Sequence, residues 1–255
     1  MDDGRNLAGD REVYWFDGSG LSKRSVSVIR ESVLRVILNG RAVVEIACLG
    51  THGEELAVGF LRSEGLLERR EDLRSVAAAG GEVRIEAAVA AGKAQGGPTL
   101  LLSSGSRETA RRTPEPVALS PLPFTARDIS TLMEEHLRAT ELHARTRGTH
   151  GSSLAGETGI LITREDIGRH NTIDMIGGHL LLQKEDGAGK LLLTTGRLSS
   201  EMVRKVWNLG IPALASHAAA TSEGIETAER GGLTLMGCVR NGTMKIYTHH
   251  ERIRF

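Results

Sequence analysis

Strand-length apolar runs alternate with helix-length segments through the second half of the chain, and no other feature narrows the possible folds as much. Short runs rich in β-branched residues and leucine are typical of strands buried in a sheet. The runs are ETGILITRED, KLLLTT, IPALAS and LTLMGCV, with MKIYTH following an Asn241-Gly242 turn. The order βαβαβαββ predicts an α/β fold, with helices on both faces of a mostly parallel sheet and an antiparallel hairpin at its edge.

Helix-start signals fall between these runs. Thr125 and Asp128 have the spacing of a capping box and precede an apolar stripe with helical periodicity. Side chains that can accept hydrogen bonds from the first turn of a helix occur at each later helix start. The N-caps expected there are Asn171, Ser199 or Ser200, and Thr221 or Ser222.

The first half of the chain predicts a small α+β module over residues 27–90. Two β-branched runs flank Asn39-Gly40, a strong hairpin signal, so strands are expected at about 33–48. Residues 56–65 have helical spacing after an acidic first turn. Two further strands are expected around the Gly80-Gly81 turn.

Changes in composition along the chain indicate the remaining domain boundaries. Residues 1–26 show no sustained periodicity and are expected to form a tail or an edge segment. Residues 91–124 hold five of the six prolines and are rich in Gly, Ala and Ser, which indicates a flexible loop or linker. The alternating segment then forms a second domain over residues 125–255.

The charge balance argues against binding to polyanions. Thirty-two basic residues match thirty-two acidic ones, and aromatic residues make up only 3% of the chain. The chain therefore has neither the excess of positive charge that attracts nucleic acid nor enough aromatic side chains to stack on its bases. Two widely separated cysteines fit a reducing compartment, and no stretch has the length and apolarity of a signal peptide core or a membrane span. We expect a cytoplasmic protein that does not bind membranes.

Two loops at the expected carboxyl edge of the sheet have the residue types of an anion site. Residues 165–171 and 195–200 each combine a glycine, an arginine and a polar side chain at a helix start. Exposed N–H groups at a helix start bind phosphate or carboxylate, and arginine adds paired donors. Ordinary capping with solvated arginines explains each loop separately, so both interpretations remain open.

Histidines near turns suggest a metal-dependent hydrolase as another alternative. The histidines concerned are His150, His170, His249 and His250. The sequence contains no HExxH, none of the zinc-deaminase signature and no CxxC, so metal ligation is disfavoured. Of the cysteines, Cys48 has a strand-like apolar context, whereas Cys238 lies nearer the ligand edge; a role in the core is favoured for both.

Several long segments resemble the formate dehydrogenase accessory proteins of the FdhD family. They are LAVGFLRSEGLL (56–67), RGTHGSS (147–153), EDIGRHNTIDMIGG (165–178), TGRLSSEMVRK (195–205) and the continuous run over 210–249. The resemblance implies a cytidine deaminase-like larger domain without its zinc. It also implies sulfur transfer from a cysteine desulfurase to the bis-molybdopterin guanine dinucleotide form of the molybdenum cofactor, delivery of that cofactor to formate dehydrogenase, and a homodimer.

The family's cofactor-binding segment matches six consecutive residues here, and lesser contributions are expected from the two helix-start loops and RGTHGSS. The six are Cys238, Val239, Arg240, Asn241, Gly242 and Thr243. The additional candidates are His150, Arg169, His170 and Arg197. Without the resemblance, residues 238–243 indicate only a hairpin turn.

The chain departs from the family at the position of its persulfide cysteine. The matching segment reads Ser103, Ser104, Gly105 and Ser106 and contains no cysteine. Because sulfur transfer needs a thiolate, this segment cannot perform it. Two hypotheses follow: the persulfide has moved to Cys238, or the protein is a chaperone that holds and hands over the molybdenum cofactor without moving sulfur.

Overall fold

The N-terminal part of the chain forms an antiparallel hairpin. The computed structural model describes residues 7–89, 99–101 and 115–255. Strands β1 (Ala8–Phe16) and β2 (Leu21–Ile29) pair along their whole length, and the Asp17 carboxylate accepts hydrogen bonds from Ser19 and Gly20 in the turn. The expectation of a tail over residues 1–26 is therefore wrong for residues 8–26. Most of the hairpin is solvent-exposed, so its strands lack the one-sided apolar pattern by which strands are recognised.

A five-stranded sheet and one helix form the small module. The strands are β3 (Ser32–Leu38), β4 (Arg41–Cys48), β5 (Leu73–Ala79), β6 (Glu82–Ala87) and β7 (Thr99–Leu101), in the order β5-β6-β3-β4-β7. Helix α1 (Gly53–Ser63) follows β4. The expected hairpin, helix and Gly80-Gly81 turn are all confirmed. Asn39 and Gly40 have φ values of 49° and 76°, as a two-residue hairpin turn requires.

A six-stranded mixed sheet organises the second half of the chain. The helices that precede it are α2 (Ala126–Ala139) and α3 (Glu141–Thr146). The sheet and its connections comprise β8 (His150–Gly156), β9 (Gly159–Asp166), α4 (Arg169–Gln183), β10 (Leu191–Thr194), α5 (Ser200–Asn208), β11 (Ala213–Ser216), α6 (Ser222–Gly231), β12 (Thr234–Arg240) and β13 (Thr243–Ile246). The strand order is β13-β12-β11-β10-β8-β9.

The expectation of a mostly parallel sheet is wrong. Only β10-β11 and β11-β12 are parallel, whereas β8-β9, β8-β10 and β12-β13 are antiparallel. The sequence did not predict strand β8, because its sequence HGSSLAG has too few apolar residues to indicate a strand. This strand pairs antiparallel with both β9 and β10. Its buried Ser152 and Ser153 are stabilised by hydroxyl hydrogen bonds to residues of distant elements, Thr172, Thr194 and Thr163.

Helices cover both faces of this sheet, as expected. On one face, Ile129 and Met133 of α2 pack in a cluster with Leu191 and Met236. On the other face, α4, α5 and α6 contribute Ile176, Val203 and Ala228 to a second cluster. A third cluster is shared between the small sheet, α1 and α4, so α1 lies between the small sheet and the larger domain.

The segment expected to be a linker is only partly described. Within it, β7 pairs with β4, and residues 115–124 pack on the larger domain. Leu122 and Phe124 are buried, and the Trp207 indole donates to the Glu115 carbonyl oxygen. The linker expectation is therefore wrong for residues 99–101 and 115–124. Ser103, Ser104, Gly105 and Ser106 lie outside the described residues. Among the described helices, none is both long and apolar enough to cross a membrane.

Candidate functional site

The carboxyl ends of β9, β10, β11 and β12 meet at one edge of the six-stranded sheet. Hydrogen bonds join the loops that leave these ends: His217 N–H donates to the Thr194 carbonyl oxygen at 3.1 Å, and Ser216 Oγ donates to that of Gly196 at 2.7 Å. Cys238 N–H donates to the Ala218 carbonyl oxygen at 2.9 Å. The structure therefore brings together the two helix-start loops and the 238–243 segment, and we call this region the sheet edge.

Helix α4 begins at the sheet edge without a side-chain cap. Its N-cap is Gly168, so the expectation that Asn171 caps this helix is wrong. Asn171 instead donates through Nδ2 to Asp166 Oδ1 at 2.7 Å and to the Ala47 carbonyl oxygen at 2.9 Å. Asp166 Oδ2 accepts the Leu49 N–H at 2.7 Å. These bonds tie the α4 start to the small module.

Asp166 is buried, which raises the pKa of its carboxyl above the ordinary value even though it accepts several hydrogen bonds. Its acceptor positions are used within the protein: Oδ1 accepts the Gly168 N–H at 3.0 Å in addition to Asn171. Asp166 therefore stabilises the loop before α4, because both of its carboxylate oxygens accept hydrogen bonds from groups of the protein.

Arg169 and His170 occupy the first turn of α4. Gly196 provides space for Arg169, because a Cβ there would lie 3.0 Å from the Arg169 Cβ. The Arg169 Nε is buried without a hydrogen-bond partner in the described structure. His170 is 2% exposed; its Nε2 lies 3.2 Å from Glu201 Oε2 without hydrogen-bond geometry, and its Nδ1 has no described partner.

His170 is neutral at physiological pH. Burial lowers its pKa to about 3, and the nearby charges of Lys205, Arg169 and His150 act in the same direction. A neutral imidazole both donates and accepts hydrogen bonds. Four buried polar atoms near the starts of α4 and α5 thus have no described hydrogen-bond partner: Arg169 Nε, both ring nitrogens of His170, and Ser199 Oγ.

His150 and Arg197 are the other two additional cofactor-binding candidates from the sequence. His150 Nδ1 is 3.3 Å from Thr195 Oγ1, which also accepts the Gly151 N–H. Burial lowers the pKa of His150, assisted by His143, Arg169 and Arg197. Arg197 is exposed and lies two residues before Ser199, the N-cap of α5. The Ser199 cap was expected, but its hydroxyl makes no capping hydrogen bond.

The 238–243 segment is a bulge followed by a tight turn. Cys238 has φ 53° within an irregular stretch between Gly237 and Arg240, and its side chain is half-buried. Asn241 and Gly242 have φ values of 51° and 73° and form the β12–β13 turn. Thr243 Oγ1 donates to the Arg240 carbonyl oxygen at 2.9 Å. Arg240 and the turn are exposed, whereas Val239 is buried in the core.

Sequence reasoning missed two further residues of this region. His217, directly after β11, is exposed, and its Nδ1 lies 3.2 Å from the Val239 carbonyl oxygen. Glu201 is in the first turn of α5, and its Oε2 lies 3.2 Å from His170 Nε2. A histidine following a buried strand was a usable signal for His217. The position of Glu201 depends on how α4 and α5 pack, which no local pattern encodes.

Two other histidines do not join the site. His249 precedes the last short helical turn and His250 is its first residue; this turn follows β13, which runs away from the sheet edge, and both histidines lie near Glu251. The described residues contain no group of three His, Cys, Asp or Glu side chains arranged to hold a metal. This observation gives the hydrolase alternative no support.

A cleft of 610 Å³ lies elsewhere, on the small module. Its lining includes Cys48, His52, Glu54 and Glu55 together with the β5–β6 turn. Cys48 is 1% exposed, in agreement with its interpretation as a buried apolar side chain. Of the sequence candidates among the described residues, only Cys48 lines this cleft, so we assign the candidate site to the sheet edge.

The sheet edge is suited to a large anion. Two helices begin there without side-chain caps, so N–H groups of their first turns are available, and Arg169 and Arg197 add positive charge. Helix starts and arginines together bind phosphate groups. The described residues offer one accessible sulfur nucleophile at this edge, Cys238.

Comparisons with known proteins agree on one family. The model of the FdhD/NarQ family matches residues 29–254. A protein of Wolinella succinogenes named "Sulfur carrier protein FdhD" is 36% identical, over 91% of this chain and 84% of its own length. A protein of the same name from Bacillus subtilis is 31% identical, over 96% of this chain and 97% of its own.

A solved structure has the same fold. It is described as a putative formate dehydrogenase accessory protein from Desulfotalea psychrophila and superposes with a TM-score of 0.79 at 25% identity. The match covers 97% of this chain and 99% of the other. With the family model spanning both the small module and the sheet edge, the chain belongs to the FdhD/NarQ family.

Proposed function

We propose that this protein is a maturation factor for formate dehydrogenase that binds the bis-molybdopterin guanine dinucleotide form of the molybdenum cofactor at the sheet edge. The observation that carries the proposal is the pair of uncapped helix starts, α4 and α5, flanked by Arg169 and Arg197. Phosphate groups are the ligands that such an arrangement favours. The names of the relatives, a sulfur carrier and a formate dehydrogenase accessory protein, support the part of the proposal that concerns formate dehydrogenase.

The residues present fit a guanine dinucleotide. Arg169 Nε, His170 Nδ1 and Ser199 Oγ are polar atoms without described partners, and a phosphate oxygen would satisfy donors of this kind. The exposed Asn241-Gly242 turn has no side chain beyond Asn241 to prevent a planar base from approaching the backbone. The molybdenum cofactor is cargo in this proposal, carried to the target enzyme, and the expected cytidine deaminase-like character of the domain belongs to the same proposal.

Binding of guanosine diphosphate by titration calorimetry tests the site. Arg169→Ala removes a charged donor, and we expect its dissociation constant to rise about tenfold or more, because a charged hydrogen bond contributes about 1.5–3 kcal/mol. Arg74→Ala, at an exposed position on the small sheet, is the matched control and keeps wild-type binding. Failure of the wild type to bind guanosine diphosphate, or equal affinity of both variants, contradicts the proposed site.

We further propose Cys238 as the sulfur carrier. Its accessibility at the sheet edge favours it over Cys48, which is buried. In the transfer, the Cys238 thiolate attacks the outer sulfur of a cysteine desulfurase persulfide. A new S–S bond forms on Cys238, the S–S bond of the desulfurase breaks, and the desulfurase thiolate leaves, so no external oxidant or reductant is needed.

Intact-mass measurement after incubation with a cysteine desulfurase and cysteine tests this step. We expect wild type and Cys48→Ala to gain one sulfur atom and Cys238→Ala to gain none. Sulfur on neither wild type nor variants removes the carrier role and leaves the chaperone alternative, in which the cofactor is held and delivered unchanged. Sulfur on Cys238→Ala shows that Cys238 is not the carrier.

The partners proposed are formate dehydrogenase, a cysteine desulfurase and a second copy of the chain. The two cysteines form no disulfide with each other, which suits the reducing cytoplasm as the place where these partners meet. The balanced charge of the chain argues against nucleic acid as a partner.

A further inference from the structure

Two Asn-Gly turns of this protein have the same backbone conformation. Asn39 and Gly40, between β3 and β4, have φ values of 49° and 76°. Asn241 and Gly242, between β12 and β13, have φ values of 51° and 73°. All four residues are exposed, and a Cβ on either glycine would meet nothing within 4 Å. Because backbone and exposure match, the reactivities of the two asparagines can be compared directly.

The two asparagine side chains differ in what holds them. Asn39 Nδ2 donates to the Ala87 carbonyl oxygen at 2.9 Å, and Asn39 Oδ1 accepts the Ala87 N–H at 2.9 Å. Among the described residues, no hydrogen bond engages the Asn241 side chain. The side-chain hydrogen bond of its turn runs instead from Thr243 Oγ1 to the Arg240 carbonyl oxygen. The Asn39 amide is therefore fixed on β6, whereas the Asn241 amide can rotate.

An asparagine followed by glycine can lose its side-chain amide by reaction with its own backbone. The backbone nitrogen of the glycine attacks the side-chain carbonyl carbon, and glycine permits this approach because it has no Cβ. A new C–N bond closes a cyclic imide, the bond to the side-chain nitrogen breaks, and ammonia leaves with the proton of the glycine N–H. Water then opens the ring and leaves aspartate or isoaspartate. No electron is transferred, and water is the only co-reactant.

The side chain must rotate towards the glycine nitrogen before the ring can close. At Asn39 this rotation breaks both hydrogen bonds to Ala87, whereas at Asn241 it breaks no described hydrogen bond. Two neutral hydrogen bonds together slow a reaction by about tenfold or more. We infer that Asn241 is a site of spontaneous deamidation, and that the fold protects Asn39 from the same reaction.

The product changes the charge of the sheet edge. Aspartate and isoaspartate are ionised at neutral pH, so deamidation adds a negative charge to the turn that follows β12. Arg169 and Arg197 make this edge suited to anions, and a carboxylate there opposes them. Affinity for an anionic cargo then falls as the protein ages. This consequence rests on the proposed function, whereas the deamidation itself depends only on the Asn241-Gly242 turn.

Peptide mapping of protein stored at mildly alkaline pH measures the modification. Trypsin releases the two turns in separate peptides, residues 36–41 and 241–245, and conversion of the amide to an acid changes the mass of each peptide. In the folded protein we expect residues 241–245 to convert at least about ten times faster than residues 36–41. In urea the hydrogen bonds to Ala87 are lost, so both peptides should convert at similar rates.

Three results of peptide mapping would overturn the inference. The first is an equal rate for the two turns in the folded protein. The second is an unmodified Asn241 in folded protein after both turns have converted in urea. The third is a rate difference that persists in urea, because its cause would then be the neighbouring sequence rather than the hydrogen bonds of Asn39.

Titration with guanosine diphosphate tests the consequence for the sheet edge. Asn241→Asp reproduces one product, and we expect its dissociation constant to rise at least about threefold, because a like charge lies several ångströms from the phosphates in a partly exposed site. Arg74→Ala changes the net charge equally, on the small sheet, and keeps wild-type affinity. Stored wild type should lose affinity in proportion to its converted fraction of residues 241–245.

The two measurements fail separately. Wild-type affinity in Asn241→Asp would contradict the effect on anion binding, even where peptide mapping finds the modification. If freshly prepared wild type does not bind guanosine diphosphate, the proposed cofactor site fails, while peptide mapping still decides whether Asn241 deamidates.

Discussion

His136 shows how a single buried side chain makes stability depend on pH. It is fully buried in α2, its Nδ1 lies 2.7 Å from Ser153 Oγ, and burial lowers its pKa to about 4, with His143 and His217 adding to the effect. An unfolded histidine has a pKa of about 6.5. As pH falls below that value, the unfolded chain binds the proton first, so the free energy of unfolding decreases until pH reaches the folded pKa.

We therefore predict that His136 alone lowers the free energy of unfolding by about 2 kcal/mol between pH 7.5 and pH 5.0. The wild type should lose this amount in urea denaturation, in addition to contributions from other groups. His136→Gln should be less stable at pH 7.5 but show a correspondingly smaller loss at pH 5.0. His250→Gln, at an exposed position, serves as the control. Equal pH dependence in wild type and His136→Gln would contradict the prediction.

The buried ion pair of Lys205 and Asp174 gives a second prediction. Lys205 Nζ lies 2.7 Å from both carboxylate oxygens of Asp174, and Ser63 Oγ donates to Oδ1 at 2.5 Å. Lys205→Met leaves a buried carboxylate uncompensated, so we expect urea denaturation to report a loss of about 3–5 kcal/mol.

Removing both charges is the informative comparison for this pair. Lys205→Met combined with Asp174→Asn should recover part of the loss, because no unpaired charge then remains buried. Arg69→Met breaks an exposed pair with Asp72 and should change stability by less than about 1 kcal/mol. If the double variant is no more stable than Lys205→Met, the loss of folding stability does not come from the unpaired, buried Asp174 carboxylate.

At the scale of elements, α1 and α4 cross in backbone contact. A Cβ on Gly59 would lie 1.7 Å from the Asp174 carbonyl oxygen, and one on Gly178 would lie 1.9 Å from that of Glu55. Neither carbonyl can move without moving its helix. The crossing joins the small module to α4, whose first turn carries Arg169 and His170, so the helix contact also positions the candidate site.

We predict that Gly178→Ala costs at least about 3 kcal/mol of folding free energy, the upper end for overpacking, because backbone atoms must separate. Calorimetric unfolding measures the cost, and guanosine diphosphate binding should weaken as α4 shifts. Gly20→Ala is the control, since a Cβ there meets nothing within 4 Å. A Gly178→Ala protein with wild-type stability would rule out the close crossing.

Elements specified by nearby residues were predictable from the sequence. The Asn39-Gly40 turn and the Thr125–Asp128 capping box form through contacts within a few residues, and both are confirmed. Strand β8 was missed because its serines are stabilised by hydroxyls from other elements. The hairpin at residues 8–29 was missed because it has no buried face to create a pattern.

The candidate site was likewise only partly predictable from the sequence. Arg169, His170 and Arg197 could be assigned to one edge because successive strands that run in the same direction end together. The sequence could not show that Asp166 accepts the Leu49 N–H from the small module, or that Glu201 approaches His170. Those contacts join residues far apart in the chain, and only the packing of α4 against its neighbours brings them together.

At the scale of the whole molecule, the small module and the larger domain share buried interactions. Arg164 on β9 donates to both carboxylate oxygens of Glu55 on α1, at 2.6 Å and 2.8 Å, and His179 on α4 lies 3.0 Å from the same carboxylate. Burial opposes ionisation of Glu55, but these hydrogen bonds outweigh it and hold its pKa below the ordinary value. Apolar residues of α4, Met175 and Leu181, complete the core of the small module.

Because the two parts share a core, we predict that they unfold in one cooperative step. In a Trp15→Phe background, fluorescence reports on Trp207 in the larger domain, while hydrogen exchange reports on β3 and β6 of the small sheet. Both should give the same urea midpoint, and Arg164→Ala should lower both together by removing a partly buried partner of Glu55. If β3 and β6 instead open at lower urea than Trp207 reports, the small module folds separately, and the contacts through Glu55 and Asp166 do not couple it to the sheet edge.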